Sequence, residues 1–477
     1  MRAVRVFSAI GCVVGLTAIL TNLDACALGS TGTKDPSPTN LIKHVVVIVQ
    51  ENRTPDNLFQ DPALISEGAD IASSGLNSNG QTIQLSPIDL GSAGSNPDNY
   101  DLSHQHSAFI SMYDGGKMDG ANLIPCAPAA DCPINPQYMY VKPSDVAPYF
   151  VMAEQYTFGD RMFQTNEGPS FPAHQFILSG TSAPTATSKL FASENTISPA
   201  GCIAPPNALV RLIDPAGKEN SSQYPCFEHS TLTDLLEVAG RTWRYYAPSP
   251  GSIWTAPDAI EHICQQQSVN GTLTCEGPEW TANVIIPQTQ VLTDIANGQL
   301  AEVSWVIPTG TDSDHAGSND GSGPSWVASI VNAIGNSSYW ANTAIIITWD
   351  DWGGWFDHVA PKVIDDGTSW GSGYVYGFRV PLIVVSPYAR AGYISHVHHD
   401  FGSILKFIET TFNLPSLATP TLLPMIFPIV LTSRRSRLLS RRFPRRLTPT
   451  TSLTTSVPRL IQTMITNPCC VERQVFR

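Results

Sequence analysis

Two stretches of this chain set oxygen-bearing side chains directly behind apolar, β-branched runs. Glu51-Asn52-Arg53-Thr54-Pro55-Asp56-Asn57 follows His44-Val45-Val46-Val47-Ile48-Val49, and Trp349-Asp350-Asp351-Trp352-Gly353-Gly354-Trp355-Phe356-Asp357-His358 follows Thr343-Ala344-Ile345-Ile346-Ile347-Thr348. In open α/β sheets the carboxyl ends of strands face the ligand crevice, so polar residues just past them are binding candidates. Glu51, Asn52, Asp350 and Asp351 offer oxygen ligands to a hard divalent cation, and a cation offsets the repulsion between adjacent carboxylates. Gly353-Gly354 lets backbone approach a ligand closely. The bland readings are an Asn/Pro turn at 51–57 and a solvated acidic turn at 350–351; the apolar strand and three tryptophans around the Asp pair weigh against the second.

A third stretch, Asn166-Glu167-Gly168-Pro169-Ser170-Phe171-Pro172-Ala173-His174, holds a serine between two prolines. Its stiff backbone suits a nucleophile that must be aimed, although a plain turn serine has the same surroundings. A bound metal lowers the hydroxyl pKa, so no triad-type base is needed. His104, His106, His315 and His358 sit among Asp, Ser and Gly, where imidazoles can protonate a leaving group or bind phosphoryl oxygens. The further cluster His396, His398 and His399 has Asp400 as its one acidic neighbour, and its role stays open.

The elements that must position these groups are legible in outline. Besides the two runs above, Pro381-Leu382-Ile383-Val384-Val385 and Val303-Ser304-Trp305-Val306-Ile307 read as strands buried on both faces, the kind found in parallel sheets. Helical patterns span 325–334 after Pro324, 232–238 after Thr231, and 403–411. Strands alternating with helices indicate an α/β layered sheet. Residues 60–100 and 180–230, rich in Gly, Ser, Asn and Pro, read as long loops or insertions.

The first 27 residues have the basic, apolar and small-residue regions of a secretory signal, and residues 28–40 read as a linker. An uncleaved anchor is disfavoured because the apolar run is short for a span, and lipid attachment at Cys26 because Asp24 lies close by. Of the 10 cysteines, six come as near neighbours: Cys126 with Cys132, Cys202 with Cys226, and Cys264 with Cys275. Even number, local spacing and an export signal favour three loop-stapling disulfides over a zinc site. A periplasmic or extracellular location follows from the same argument. Net charge −13 argues against nucleic acid as a partner. Residues 419–477 carry ten Arg and one Glu, leaving 17 basic against 39 acidic side chains before them. This break reads as a basic tail, 416–477, disordered or produced by a shift of reading frame near residue 418; a tail for an anionic surface is the alternative.

Taken in order, the motifs resemble those of the bacterial phosphoesterases that include phosphocholine-preferring phospholipases C, plant non-specific phospholipases C and a secreted acid phosphatase. Glu51 to Asn57 is similar to that family's ENRSFDH, Ser170 to His174 to its TxPNR, and Asp350 to Val359 to its DExxGxxDHV. Gly377-Phe378-Arg379-Val380-Pro381 with Ser386-Pro387-Tyr388 is similar to its GxRVPxxxxSPW, and Gly115-Gly116-Lys117-Met118-Asp119-Gly120 to the stretch after its early histidines.

The resemblance spans residues 44 to about 415, within a catalytic domain at 41–415. It implies an alkaline-phosphatase-like three-layer α/β sandwich with a mostly parallel central sheet and long loop insertions. One divalent cation would be held by Glu51, Asn52, Asp350, Asp351 and Ser170, with Ser170 as nucleophile. His104, His315 and His358 would surround the phosphoryl group, and His106, His174 and Lys117 would contact substrate. The implied activity is phospholipase C-like hydrolysis of a phosphodiester, with the membrane surface met only transiently as substrate. An acid phosphatase is the alternative, and an exported binding protein without turnover is the non-enzymatic one. The chain departs from the pattern at Thr54-Pro55, Asn57, Ala173-His174 and Asp351, which leaves the substrate class open.

Overall fold

The computed structural model describes residues 38–91, 99–194, 197–363, 375–417 and 431–432. The expected signal, nearly all of the linker and all but four residues of the tail lie outside these.

Nine strands form the central sheet: β1 (His44–Gln50), β2 (Thr157–Phe163), β3 (Trp243–Tyr246), β4 (Val284–Ile285), β5 (Val303–Val306), β6 (Thr343–Trp349), β7 (Arg379–Val385), β8 (Tyr393–Ser395) and β9 (His399–Asp400). Their order is β4-β3-β5-β1-β6-β7-β2-β8, with β9 also on β2. All run in one direction except β7, which is antiparallel to both β6 and β2. All four apolar runs read from the sequence are strands of this sheet. The reading of residues 381–385 as a parallel strand is corrected: a strand flanked on both edges and covered on both faces is apolar throughout, whichever way it runs. β2 was not legible, because Gly159, Asp160 and Arg161 interrupt its apolar pattern.

The helices that matter here are α1 (Pro55–Leu58), α2 (His106–Tyr113), α3 (Ala147–Gln155), α4 (Ser170–Ser179), α5 (Leu232–Val238), α6 (Gly323–Gly335) and α7 (Phe401–Phe412). α3 packs on α6, and α4 packs on α5 and α7. Every residue of β6 and β7 is buried, which requires cover on both faces and makes the fold a three-layer α/β sandwich. Helix starts follow local chemistry: Thr231 and Asp234 form a capping box on α5, and Asp400 and Ser403 form one on α7. Among the described residues no helix is long and apolar enough to cross a membrane.

The stretches expected to be loops are partly structured. Residues 60–100 include the paired strands Ser74–Leu76 and Thr82–Gln84, and residues 180–230 hold a three-stranded antiparallel sheet. Disulfides join Cys126 to Cys132, Cys202 to Cys226 and Cys264 to Cys275, the three pairs expected from spacing.

At the start of β7 a buried guanidinium gathers the loops that follow β1 and β6. Arg379 Nε donates to both oxygens of Asp357 at 2.9 and 3.1 Å, and Nη2 donates to Asp56 Oδ1 at 3.2 Å. Nη1 donates to the carbonyls of Asp70 and Asp160 at 2.9 and 2.8 Å. Removing one partner of such a buried ion pair leaves uncompensated charge. Arg379→Met is therefore expected to lose about 3–5 kcal/mol of stability by urea denaturation; a loss below about 1 kcal/mol would show that the network holds nothing together.

Candidate active site

The parallel pairing of β1 with β6 sets Gln50 opposite Trp349, so the two strands end level. Glu51-Asn52 and Asp350-Asp351 therefore emerge side by side at the carboxyl edge of the sheet. Asp350 N donates to the Gln50 carbonyl at 2.9 Å, and Asn52 N donates to Asp350 Oδ1 at 3.0 Å across 298 positions of sequence. Asn52 takes a left-handed backbone (φ 63°), which asparagine tolerates better than most residues. A Cβ on Gly353 would lie 2.4 Å from the Asn52 carbonyl oxygen, so this glycine admits the neighbouring turn rather than a ligand.

Ser170 is the first residue of α4, behind Pro169. Pro172 costs the helix no hydrogen bond, because N–H groups of the first turn have no intrahelical acceptor. The Ser170 Oγ lies 3.3 Å from Glu51 Oε2 and 3.2 Å from Asp351 Oδ2, and its single proton can go to one of them at a time. One turn on, His174 Nε2 is 3.0 Å from Glu51 Oε1 and 3.8 Å from Asp350 Oδ2. Gln164, just past β2, clamps the two loops: its Oε1 accepts from Trp352 N, and its Nε2 donates to the carbonyls of Asn166 and Gly168. Nothing in the sequence flagged Gln164, since it follows a strand whose pattern is broken.

His104 and His315 join this cluster. Their rings are 5.7 Å apart in an edge-on contact. His104 Nδ1 meets the Leu102 carbonyl at 2.7 Å, which leaves Nε2 to accept from Asn52 Nδ2 at 3.2 Å. The Asn52 amide is thereby turned so that its Oδ1 has no protein partner, and Asp350 Oδ2 likewise has no hydrogen bond. Behind His315, the Asp314 carboxylate accepts from Tyr149 Oη and Trp349 Nε1, both at 2.9 Å.

Glu51, Asp350 and Asp351 are fully buried, and among the described residues no Lys or Arg is paired with any of them. Burial and the neighbouring Asp350 push both Glu51 and Asp351 well above the usual carboxylate range. Burial pulls His174 down to about 4, which disfavours a compensating charge on its ring. A set of buried carboxyl and amide oxygens with orphaned lone pairs, whose ionised form burial disfavours until a positive charge arrives, fits a divalent cation.

The sequence model of the Phosphoesterase family matches residues 42–415. The chain belongs to this family. The phosphoesterase is 26% identical over 447 residues to a protein named phospholipase C A from Mycobacterium tuberculosis, covering 84% of this chain and 79% of that one. It is 24% identical to the hemolytic phospholipase C of Pseudomonas aeruginosa, covering 65% of this chain and 44% of that one. Among solved structures, a protein in the alkaline phosphatase superfamily from Vibrio parahaemolyticus aligns over 80% of this chain and 69% of that one, with 11% identity and a TM-score of 0.34. The family and the two phospholipase C relatives make the chain a hydrolase of phosphoric ester bonds.

Three residues expected at the phosphoryl group or substrate have other partners in this phosphoesterase. His358 Nδ1 meets Asp56 Oδ2 at 2.7 Å and Nε2 meets Asp70 Oδ1 at 3.1 Å, which ties it to the Arg379 network instead of to Ser170. Lys117 pairs on the surface with Asp114 at 2.7 Å, and with His358 it lines another cavity of about 290 Å³. His106 bridges Glu167 (3.1 Å) and Glu219 (3.0 Å), so both ring nitrogens are committed. It lines a cavity of about 620 Å³ together with Gln105, Ser193, Glu194, Arg211 and Glu219.

Burial disfavours the charged form of His358, but Asp56 and Asp357 outweigh it and hold the ring up at about 9 against the push of Arg379. A raised histidine pKa stabilises the fold fully below about pH 6.5, and the contribution disappears as pH rises through about 9. The stability difference between the parent and His358→Asn is expected to shrink by up to about 3 kcal/mol between pH 6 and pH 9.5, read by urea denaturation at each pH. A difference that does not change with pH would mean that the ring titrates alike in the folded and unfolded protein, without the carboxylate clamp.

Proposed function

We propose that this phosphoesterase is an exported, metal-dependent phosphodiesterase of the phospholipase C type with Ser170 as its nucleophile. The observation that carries this reading is the Ser170 hydroxyl lying within 3.3 Å of Glu51 and 3.2 Å of Asp351, among unpartnered carboxylate and amide oxygens. Glu51, Asn52, Asp350 and Asp351 would hold one divalent cation beside that hydroxyl. When bound, it would polarise a phosphoryl oxygen and lower the proton affinity of the attacking group.

The remaining steps rest on the chain's own groups. Ser170 Oγ gives its proton to a neighbouring carboxylate and attacks phosphorus in line, and the bond to the leaving alcohol breaks as the Oγ–P bond forms. The departing oxygen takes up the proton that Ser170 released, relayed by His315, whose Nδ1 contact with the Ala316 carbonyl leaves Nε2 open to accept and pass it on, while His104 orients Asn52; water then cleaves the phosphoserine and returns a proton to the Ser170 hydroxyl. The Ser170 and Phe171 N–H groups, unused at the start of α4, can bind phosphoryl oxygens as charge develops.

The names of the phospholipase C relatives favour a diester over a monoester. Phospholipids are the substrate class this suggests. Three disulfides support export.

Ser170→Ala is expected to reduce hydrolysis of a chromogenic phosphate ester by at least about 10³-fold with an unchanged melting profile. Activity within about tenfold of the parent would remove Ser170 as nucleophile. In a second assay, phosphatidylcholine hydrolysis should exceed that of a simple monoester and vanish with chelator. The reverse preference would favour the acid phosphatase reading, and chelator-insensitive turnover would end the metal-dependent one.

A further inference from the structure

His174 stands where the related motif has an arginine, and its position changes what the acidic cluster can bind. The ring is fully buried in α4, and its Nδ1 has no partner, so its polar contact is entirely at Nε2. That nitrogen faces Glu51 Oε1 at 3.0 Å and Asp350 Oδ2 at 3.8 Å, and one donor atom from each of the three residues falls within 4.8 Å of the others. Donors that share one ion at about 2.1 Å lie roughly 3–4 Å apart. An arginine here would bring a permanent cation against Glu51 and Asp350 and offset their charge, whereas an imidazole offers a lone pair and leaves the charge to be met by an ion.

The geometry points to His174 Nε2 as a nitrogen ligand of the active-site cation, shared with Glu51 and Asp350, which makes this a mixed nitrogen–oxygen site selective for Mn²⁺, Fe²⁺, Co²⁺ or Zn²⁺ over Ca²⁺ and Mg²⁺. The inference rests on the metal-dependent reading above and goes beyond it in naming the ligand and the class of ion. Its chemical basis is that all-oxygen sites suit hard ions, and an imidazole shifts preference toward the borderline transition metals. The helical placement supports it: His174 is one turn after Ser170, so the nucleophile and the nitrogen lie on the same face of α4.

Mn²⁺ is the probe. The full chain is stripped with chelator, titrated with Mn²⁺ without substrate, and examined by pulsed electron paramagnetic resonance for directly coordinated nitrogen. The expected result is a ¹⁴N coupling in the parent that is absent in His174→Gln, with Mn²⁺ affinity lowered about 10–100-fold and Ca²⁺ affinity unchanged. A coupling that persists in His174→Gln, or a parent that binds Mn²⁺ tightly without one, overturns the inference and leaves the metal-dependent reading standing. A parent that binds no divalent ion removes both. Should His174→Gln fail to fold, the parent spectrum still decides, and His174→Arg, which restores the residue of the related motif, is expected to lack the coupling.

Discussion

The register between β1 and β6 is the constraint on which the rest of this molecule depends. Gln50 is paired with Trp349, so two strands far apart in sequence finish at the same level and deliver Glu51-Asn52 and Asp350-Asp351 to one point. A shift of one residue would turn every side chain of one strand to the opposite face and set it against different neighbours in a sheet packed on both sides. Close packing on both faces thus fixes the register, and the register fixes the site.

The same two loops carry a second acidic group, and the contrast between the two explains the division of labour. Asp56 and Asp357, a few residues beyond Glu51 and Asp350, are also fully buried, but Arg379 pairs with both and His358 adds a second positive group. Their charge is met from within the chain, as structural ion pairs require. Glu51, Asp350 and Asp351 meet no guanidinium or ammonium group among the described residues. Burying three carboxylates without compensation is costly, and a chain tolerates that cost where something outside it supplies the charge. One group is a strut and the other is left with its charge unmet by any Lys or Arg of the described residues, though both read in the sequence as carboxylates behind apolar strands.

Histidines sort by the same test of partners. His104 spends Nδ1 on a backbone carbonyl and uses Nε2 to orient Asn52, and His315 spends Nδ1 on the Ala316 carbonyl, 2.5 Å away, which leaves the other nitrogen for chemistry. His106 and His358 have carboxylates on both nitrogens, and each is held up at about 9 once those partners outweigh burial. A doubly bonded ring whose pKa lies well above neutral is a poor proton shuttle at neutral pH and a good clamp.

The amino-acid sequence determined the four apolar strands, the α/β layering, the local disulfide pairs and the two acidic turns, because strand burial, helix capping and cysteine spacing are local patterns. It also marked Ser170 as a residue to be aimed. Tertiary structure alone decided that Ser170 and His174 open a helix facing the two strand ends, that β7 runs antiparallel, and that Gln164 clamps the loops. It also assigned His104 and His315 to the cluster and His358 to the strut. These outcomes depend on which distant group each side chain meets, and a histidine or carboxylate looks the same in sequence whether its partner is an arginine, a carbonyl or an ion.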